Sequence, residues 1–169
     1  MKMRFDWQIV AQPDQYSFLY DADDQSIRPK WIGTDDTEGP AGYSLCAGTL
    51  NLELGVDWRI VHGWGYFPRA SWDLNANEFV PDSHPGRVTV SPDASLVPGV
   101  SARIPGLWRP RVARSPGWFQ LEGGTAVSKQ AETFVRVAEG LICGLAESNL
   151  VSIWLLVENK DSLNLPIWR

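Results

Sequence analysis

The chain is poor in the residues that build disulfide frameworks and metal centres. It has two cysteines, Cys46 and Cys143, and two histidines, His62 and His84. Two cysteines far apart in the sequence, each in an apolar setting, are too few for a disulfide framework, so we expect buried free thiols. Two histidines without a cluster of thiols or carboxylates cannot supply the ligands of a zinc enzyme. We therefore expect no metal and no cofactor.

Long apolar runs and an excess of basic charge are also lacking. No apolar run approaches the roughly 20 residues that span a bilayer, and the charged segment 1–7 is not followed by the apolar stretch of a secretory signal. The net charge of −5 disfavours nucleic acids and anionic membranes, which select clustered Lys and Arg. These absences predict a cytoplasmic protein without nucleic-acid or membrane partners.

What is present is the composition of a well-packed globular domain. Hydrophobic residues make up 44% of the 169 residues, and nine of them are tryptophan. A chain of this length buries roughly 70% of its unfolded surface. No repeat, low-complexity tract or linker divides it, so we predict a single domain over residues 1–169.

The clearest periodicity lies in the C-terminal third. Eight apolar residues recur at spacings of three, four and one, which predicts a helix over 125–147: Val127, Ala131, Phe134, Val135, Ala138, Leu141, Ile142 and Leu145. Gly140 and Gly144 would each cost this helix about 1 kcal/mol, so we expect a close approach of neighbouring chain at both. The apolar run 150–157 predicts a strand buried on both faces.

Alternating apolar and polar residues predict strands in the rest of the chain. The predicted strands cover residues 4–11, 16–20, 43–54, 56–61, 87–91, 100–104 and 118–122. The first two are expected to form a hairpin, and residues 21–42 to form a long irregular stretch. The predicted fold class is α+β: a largely antiparallel sheet with one long C-terminal helix packed on it and a final buried strand.

The acidic residues are concentrated near the start of the chain. Residues 1–57 hold 10 Asp and Glu against 4 Lys and Arg, and six of those acids lie in two predicted surface loops: Asp21, Asp23, Asp24, Asp35, Asp36 and Glu38. Clustered carboxylates repel one another and favour a partner of opposite charge. We therefore predict a protein-binding or inhibitory module, of the kind of an immunity protein that blocks a basic bacterial toxin through its acidic loops.

Two alternative functions rest on other residues. The aromatic segment 58–72 carries Trp58, Trp64, Tyr66 and Trp72, which predict a stacking platform for a small molecule or glycan if they are exposed, and core if they are not. Cys46 and His62 are the one pair that the predicted strands bring near each other for nucleophilic hydrolysis. The segment after Cys46 lacks the strand-to-helix turn that exposes a nucleophile.

Two weaker patterns complete the candidates. Residues 73–77 carry the first three ligand positions of a calcium loop, but Glu78 replaces the required glycine and His84 the required glutamate, so we expect a polar turn. Four arginines form a basic patch that suggests either phosphate binding or pairing with the acidic loops: Arg103, Arg109, Arg111 and Arg114.

Overall fold

The computed structural model describes residues 2–34, 40–74, 78–123, 130–163 and 165. Within these ranges the chain forms thirteen strands, two short 3₁₀ turns at Arg69–Ser71 and Lys160–Leu163, and no helix of seven or more residues. The strands are β1 Met3–Ile9, β2 Tyr16–Asp21, β3 Ser26–Trp31, β4 Tyr43–Ala47, β5 Leu50–Leu54, β6 Ile60–Tyr66, β7 His84–Pro92, β8 Ser101–Arg103, β9 Arg109–Val112, β10 Trp118–Glu122, β11 Thr133–Ala138, β12 Leu141–Ala146 and β13 Asn149–Leu156.

The strands form two mixed sheets. A seven-stranded sheet has the order β1-β7-β11-β12-β13-β10-β9, and a six-stranded sheet has the order β2-β3-β6-β5-β4-β8. Most neighbours are antiparallel, but β7 and β11 run parallel, as do β4 and β8. The expectation of a largely antiparallel arrangement therefore holds only in part.

One apolar core joins the two sheets. Alternate residues of β5, namely Leu50, Leu52 and Leu54, are fully buried, and they belong to the same core cluster as Phe119 and Leu141 of the other sheet. Because successive side chains of a strand point to opposite faces, each sheet turns one face towards this core. The assignment of residues 1–169 to a single domain stays a prediction.

The predicted α+β class and the long C-terminal helix are wrong. Residues 133–146 form the hairpin β11–β12, whose turn contains Gly140. All six residues of β12 are buried, so the strand is apolar on both faces and loses the two-residue alternation that marks a strand. Its spacings consequently resemble those of a helix. The segment 124–129, where the helix would begin, lies outside the described residues.

Two other predictions about the strands are corrected. Segments 4–11 and 16–20 form no hairpin, because β1 pairs with β7 and β2 pairs with β3 in the other sheet. The stretch 21–42 is not irregular throughout, since Ser26–Trp31 forms β3 despite Pro29. The predicted buried strand over 150–157 is confirmed: β13 lies fifth of seven in its sheet and is buried over its central residues.

The outward faces of the two sheets differ. On the seven-stranded sheet a second apolar cluster of Ala113, Ile142 and Trp154, with Phe134 packed against it, covers the strands. The six-stranded sheet instead leaves the aromatic rings of Trp64 and Tyr66 exposed. No helix in the described part of the chain is long and apolar enough to cross a membrane.

Candidate functional site

The first acidic loop is the turn between β2 and β3. Oδ1 of Asp21 accepts hydrogen bonds from the backbone N–H groups of Asp23 (3.0 Å) and Asp24 (3.2 Å). The bond from the Asp24 amide is the largest cause that lowers the pKa of Asp21 below its ordinary value. The carboxylate of Asp21 therefore stabilises the turn in which the other two acids are exposed.

Arg28 on β3 neutralises part of this loop. Its guanidinium lies 3.3 Å from Asp21 and also contacts Asp24. Within the described residues Asp23 forms no such ion pair, and its side chain is exposed. The second predicted loop, with Asp35, Asp36 and Glu38, lies outside the described residues.

The aromatic segment 58–72 divides between core and surface, so the four predicted stacking residues do not form one platform. Trp72 is 8% exposed and packs edge-on against Phe119 with ring centroids 4.9 Å apart. Trp58 is partly buried and packs against Tyr43 at 5.0 Å. Trp64 and Tyr66, by contrast, are 44% and 52% exposed.

The exposed aromatic pair lies beside the acidic turn. Ser26, the first residue of β3, pairs with Tyr66 of β6, and Trp64 projects from the same face two residues away. The indole Nε1 of Trp64 donates a 2.6 Å hydrogen bond to Oε1 of Glu53, which holds the exposed ring in one orientation. We name this surface the acidic–aromatic face, and it comprises Asp21, Asp23, Asp24, Glu53, Trp64 and Tyr66.

The structure does not bring Cys46 and His62 together. Cys46 pairs with Asn51 and His62 with Glu53, so all of β5 separates them. Two inter-strand spacings of about 4.8 Å, together with the offset along the strands, exceed the reach of a hydrogen bond. The thiol of Cys46 instead donates to the carbonyl of Gly48 at 3.0 Å.

His62 is buried and held neutral. Burial lowers its pKa to about 4, and its ring lies 4.7 Å from that of Tyr16. Its Nδ1 has no hydrogen-bond partner within the described residues. A neutral imidazole packed against an aromatic ring has the environment of a core residue.

The described residues contain no group of three or more His, Cys, Asp or Glu placed to hold a metal ion. Of the calcium-like segment, Asp73 forms an ion pair with Arg111 at 3.9 Å, and residues 75–77 lie outside the described ranges. Arg111 also pairs with Glu122 at 2.9 Å. This member of the predicted basic patch is therefore compensated by neighbouring acids, and its partners among the described residues do not include the turn at Asp21–Asp24.

A cleft of about 260 Å³ opens on the outward face of the seven-stranded sheet, where the sequence predicted no site. Its lining combines acids and amides with aromatic and small apolar groups: Glu78, Gln120, Glu122, Gln130, Ala131, Phe134, Val151, Ser152 and Trp154. The available signal was the polar side chain inside an apolar strand, Gln120 in β10 and Ser152 in β13. Buried polar groups of this kind normally have a partner.

The described part of the chain is thus nearly all β, with two packed sheets, and the two candidate sites lie on their outward faces. Comparison with models of protein families and with curated proteins finds no match for the chain. The function is consequently inferred from the two sites themselves.

Proposed function

We propose that this protein is a non-catalytic binding module that recognises a basic protein through the acidic–aromatic face. In its specific form the proposal is an inhibitor of the immunity type that acts in the cytoplasm against a basic toxin. The observation that carries it is the pairing of Ser26 with Tyr66, which sets the acidic turn beside two exposed aromatic rings.

The chemistry of this face matches that of protein interfaces. Tyrosine and tryptophan are enriched among the residues that dominate binding energy, where charged groups form the rim. Trp64 has its indole already held by Glu53, so binding would cost it little side-chain entropy. Asp23 supplies an exposed charge at the edge, which would accelerate association with a basic surface.

A capture experiment with paired variants tests the proposal. The immobilised protein is incubated with lysate of its source cells. Captured proteins are compared among the parent, a double variant that carries Asp23→Lys and Asp24→Lys, and a double variant that carries Trp64→Ala and Tyr66→Ala. The control Asp82→Lys with Asp93→Lys makes the same charge change at exposed residues that flank β7. Support requires a basic protein that both variants of the face lose and the control retains.

The kinetics of the captured complex provide the second part of the test. We expect the charge-reversal variant to slow association, and the aromatic variant to speed dissociation, because steering acts on the on-rate and buried anchors act on the off-rate. Salt should slow association of the parent. Association that is insensitive both to salt and to the charge reversal would refute the role of the acidic turn.

Glycan binding is a second candidate, favoured by the fixed and exposed indole of Trp64. Flat rings on a sheet face suit the apolar face of a sugar. Titration of soluble oligosaccharides, followed by tryptophan fluorescence in the parent and in Trp64→Phe, tests it. A change in the parent that is absent from Trp64→Phe would favour the glycan over the protein partner.

A further inference from the structure

The cleft on the seven-stranded sheet contains buried polar atoms without partners. Oε1 of Gln120, Oγ of Ser152 and Nε1 of Trp154 form no hydrogen bond within the described residues. The three residues are 5%, 4% and 2% exposed, respectively, and all of them line the cleft. A buried polar atom without a partner is costly, so three in the wall of one cleft require an explanation.

The registers of the strands place these groups next to one another. Gln120 of β10 pairs with Trp154 of β13, and Glu122 pairs with Ser152. Phe134 of β11 pairs with Gly144 of β12, which in turn pairs with Ser152. The cleft therefore has a polar floor across β10 and β13 and an aromatic wall on β11.

Among the described residues that line the cleft the charged ones are acidic, and Arg111 and Arg109 of β9 lie opposite Gln120 and Glu122 at its edge. Glu78 and Glu122 are exposed at the cleft, and no Lys, Arg or His is among the described residues that line it. Glu122 is already paired with Arg111. The carboxylate of Glu78 forms no ion pair within the described ranges, so it is the carboxylate of the lining that we take to be free for a ligand.

We propose that this cleft binds an organic cation, an alkylguanidinium or alkylammonium group of amino-acid size. Carboxylates supply charge-assisted hydrogen bonds to such a group, and the rings of Phe134 and Trp154 supply faces that attract cations. Oε1 of Gln120 accepts a further hydrogen bond, while Nε1 of Trp154 donates to a carbonyl of the same ligand. A volume of about 260 Å³ is below that of sites for drug-sized ligands and suits one side-chain-sized group.

The proposal is independent of the acidic–aromatic face, because the cleft lies on the other sheet. The same chemistry has two sources, a free metabolite or an arginine or lysine side chain of a polypeptide. L-arginine represents the first source, and N-acetyl-L-arginine amide represents the second. The compound that binds more tightly identifies whether the natural ligand is a free metabolite or a polypeptide side chain. Binding of either compound supports the cation site.

The test is a titration with a matched uncharged ligand. N-acetyl-L-citrulline amide has the shape of the arginine compound without its charge, and we expect it to bind at least about tenfold more weakly, the effect of one charge-assisted hydrogen bond. Binding is measured by calorimetry and by the indole N–H signal of Trp154, which is assigned through its loss in Trp154→Phe. The proposal is overturned if the arginine and citrulline compounds bind equally tightly. It is also overturned if neither arginine compound binds at millimolar concentration.

Three variants separate binding from folding. Glu78→Gln should weaken binding of the arginine compound about tenfold or more, whereas Glu139→Gln, in the exposed turn after β11, should leave it unchanged. Ser152→Ala should weaken binding while the thermal midpoint of the free protein stays the same or rises, because the change removes an unpartnered hydroxyl. If Glu78→Gln binds as tightly as the parent, or if a crystal soaked in ligand shows only water in the cleft, the site is not a cation site.

Discussion

Trp64 and Glu53 are joined by a 2.6 Å hydrogen bond from the indole Nε1 to the carboxylate Oε1, although the ring of Trp64 is largely on the surface. Glu53 lies on β5 and Trp64 on β6, and the two are diagonal neighbours two residues out of register, because Glu53 pairs with His62 and Asn51 pairs with Trp64. An exposed ring that is held from the neighbouring strand is ordered before any partner arrives.

This relationship predicts the effect of Glu53→Ala. The indole N–H of Trp64 should lose its partner, so its proton signal should move upfield and exchange faster with water. Stability should change by no more than about 0.5 kcal/mol, since the pair lies at the surface. Nuclear magnetic resonance follows the signal, which is assigned by its absence in Trp64→Phe. An unchanged signal in Glu53→Ala, or an equal change in Glu139→Ala, would contradict the hydrogen bond.

Because His62 is buried and neutral, we expect the free energy of unfolding to fall in mild acid. Its folded-state pKa of about 4 lies below the unfolded value of about 6.5, so between these values the unfolded chain binds the proton and the folded protein does not. Stability conferred by the neutral ring is therefore fully present above about pH 6.5 and falls as the pH drops towards 4. The loss between pH 7 and pH 5 should be about 2 kcal/mol.

Urea unfolding of the parent and of His62→Gln at the two pH values measures this loss. The variant lacks the titrating group, so its stability should fall by about 2 kcal/mol less than that of the parent. His84→Gln, at the exposed start of β7, is the control and should behave as the parent does. The same pH dependence in the parent and in His62→Gln would rule out His62 as the cause.

A side chain added at Gly144 should clash with Ser152, and a second substitution, at Ser152, should relieve that clash. A Cβ atom at this position would overlap Oγ of Ser152 and lie 3.0 Å from Cβ of Ala131 and 3.1 Å from Phe134. Gly144→Ala should therefore cost about 1–3 kcal/mol. Ser152→Ala in the same chain should recover part of this cost, which a double-mutant cycle measures as a coupling.

Gly63 provides the matched control for that cycle. A Cβ there would meet its nearest neighbour, Leu50, at 3.4 Å, an ordinary contact. Gly63→Ala should consequently be neutral or slightly stabilising, because it reduces the entropy of the unfolded chain. Additive effects of Gly144→Ala and Ser152→Ala would show that the hydroxyl is not the obstacle.

The two cysteines should differ in reactivity. Cys143 is fully buried in β12, and burial raises its pKa to about 12, so it should react with a thiol reagent only after unfolding. Cys46 is half-buried and should be labelled no faster than in the unfolded chain. Labelling kinetics of Cys46→Ser and Cys143→Ser assign the two rates. Faster labelling of Cys46 in the native protein would indicate an activated thiol and would restore the hydrolase alternative.

Local sequence patterns were sufficient to predict the strands that have one buried face. Leu50, Leu52 and Leu54 alternate with polar residues, and β5 forms where that alternation predicts it. They were insufficient for β12, whose two faces are both covered, the outer one by Phe134 and Trp154. Gly140 and Gly144 were expected to be approached closely by the backbone of a neighbouring strand or loop. A backbone carbonyl, that of Leu156, approaches at Gly140, whereas the close neighbours at Gly144 are side chains, with Ser152 the nearest.

The sequence by itself determined the composition, the shortage of metal ligands and cysteines, the strands with one apolar face, and the acidity of the turn at Asp21–Asp24. Only the tertiary structure decided that Tyr66 pairs with Ser26, that β5 separates Cys46 from His62, and that Gln120, Ser152 and Trp154 line one cleft. The physical reason is that side-chain alternation is a local property of a strand. The choice of neighbouring strand depends instead on residues far away in the sequence, and both candidate sites are built across such neighbours.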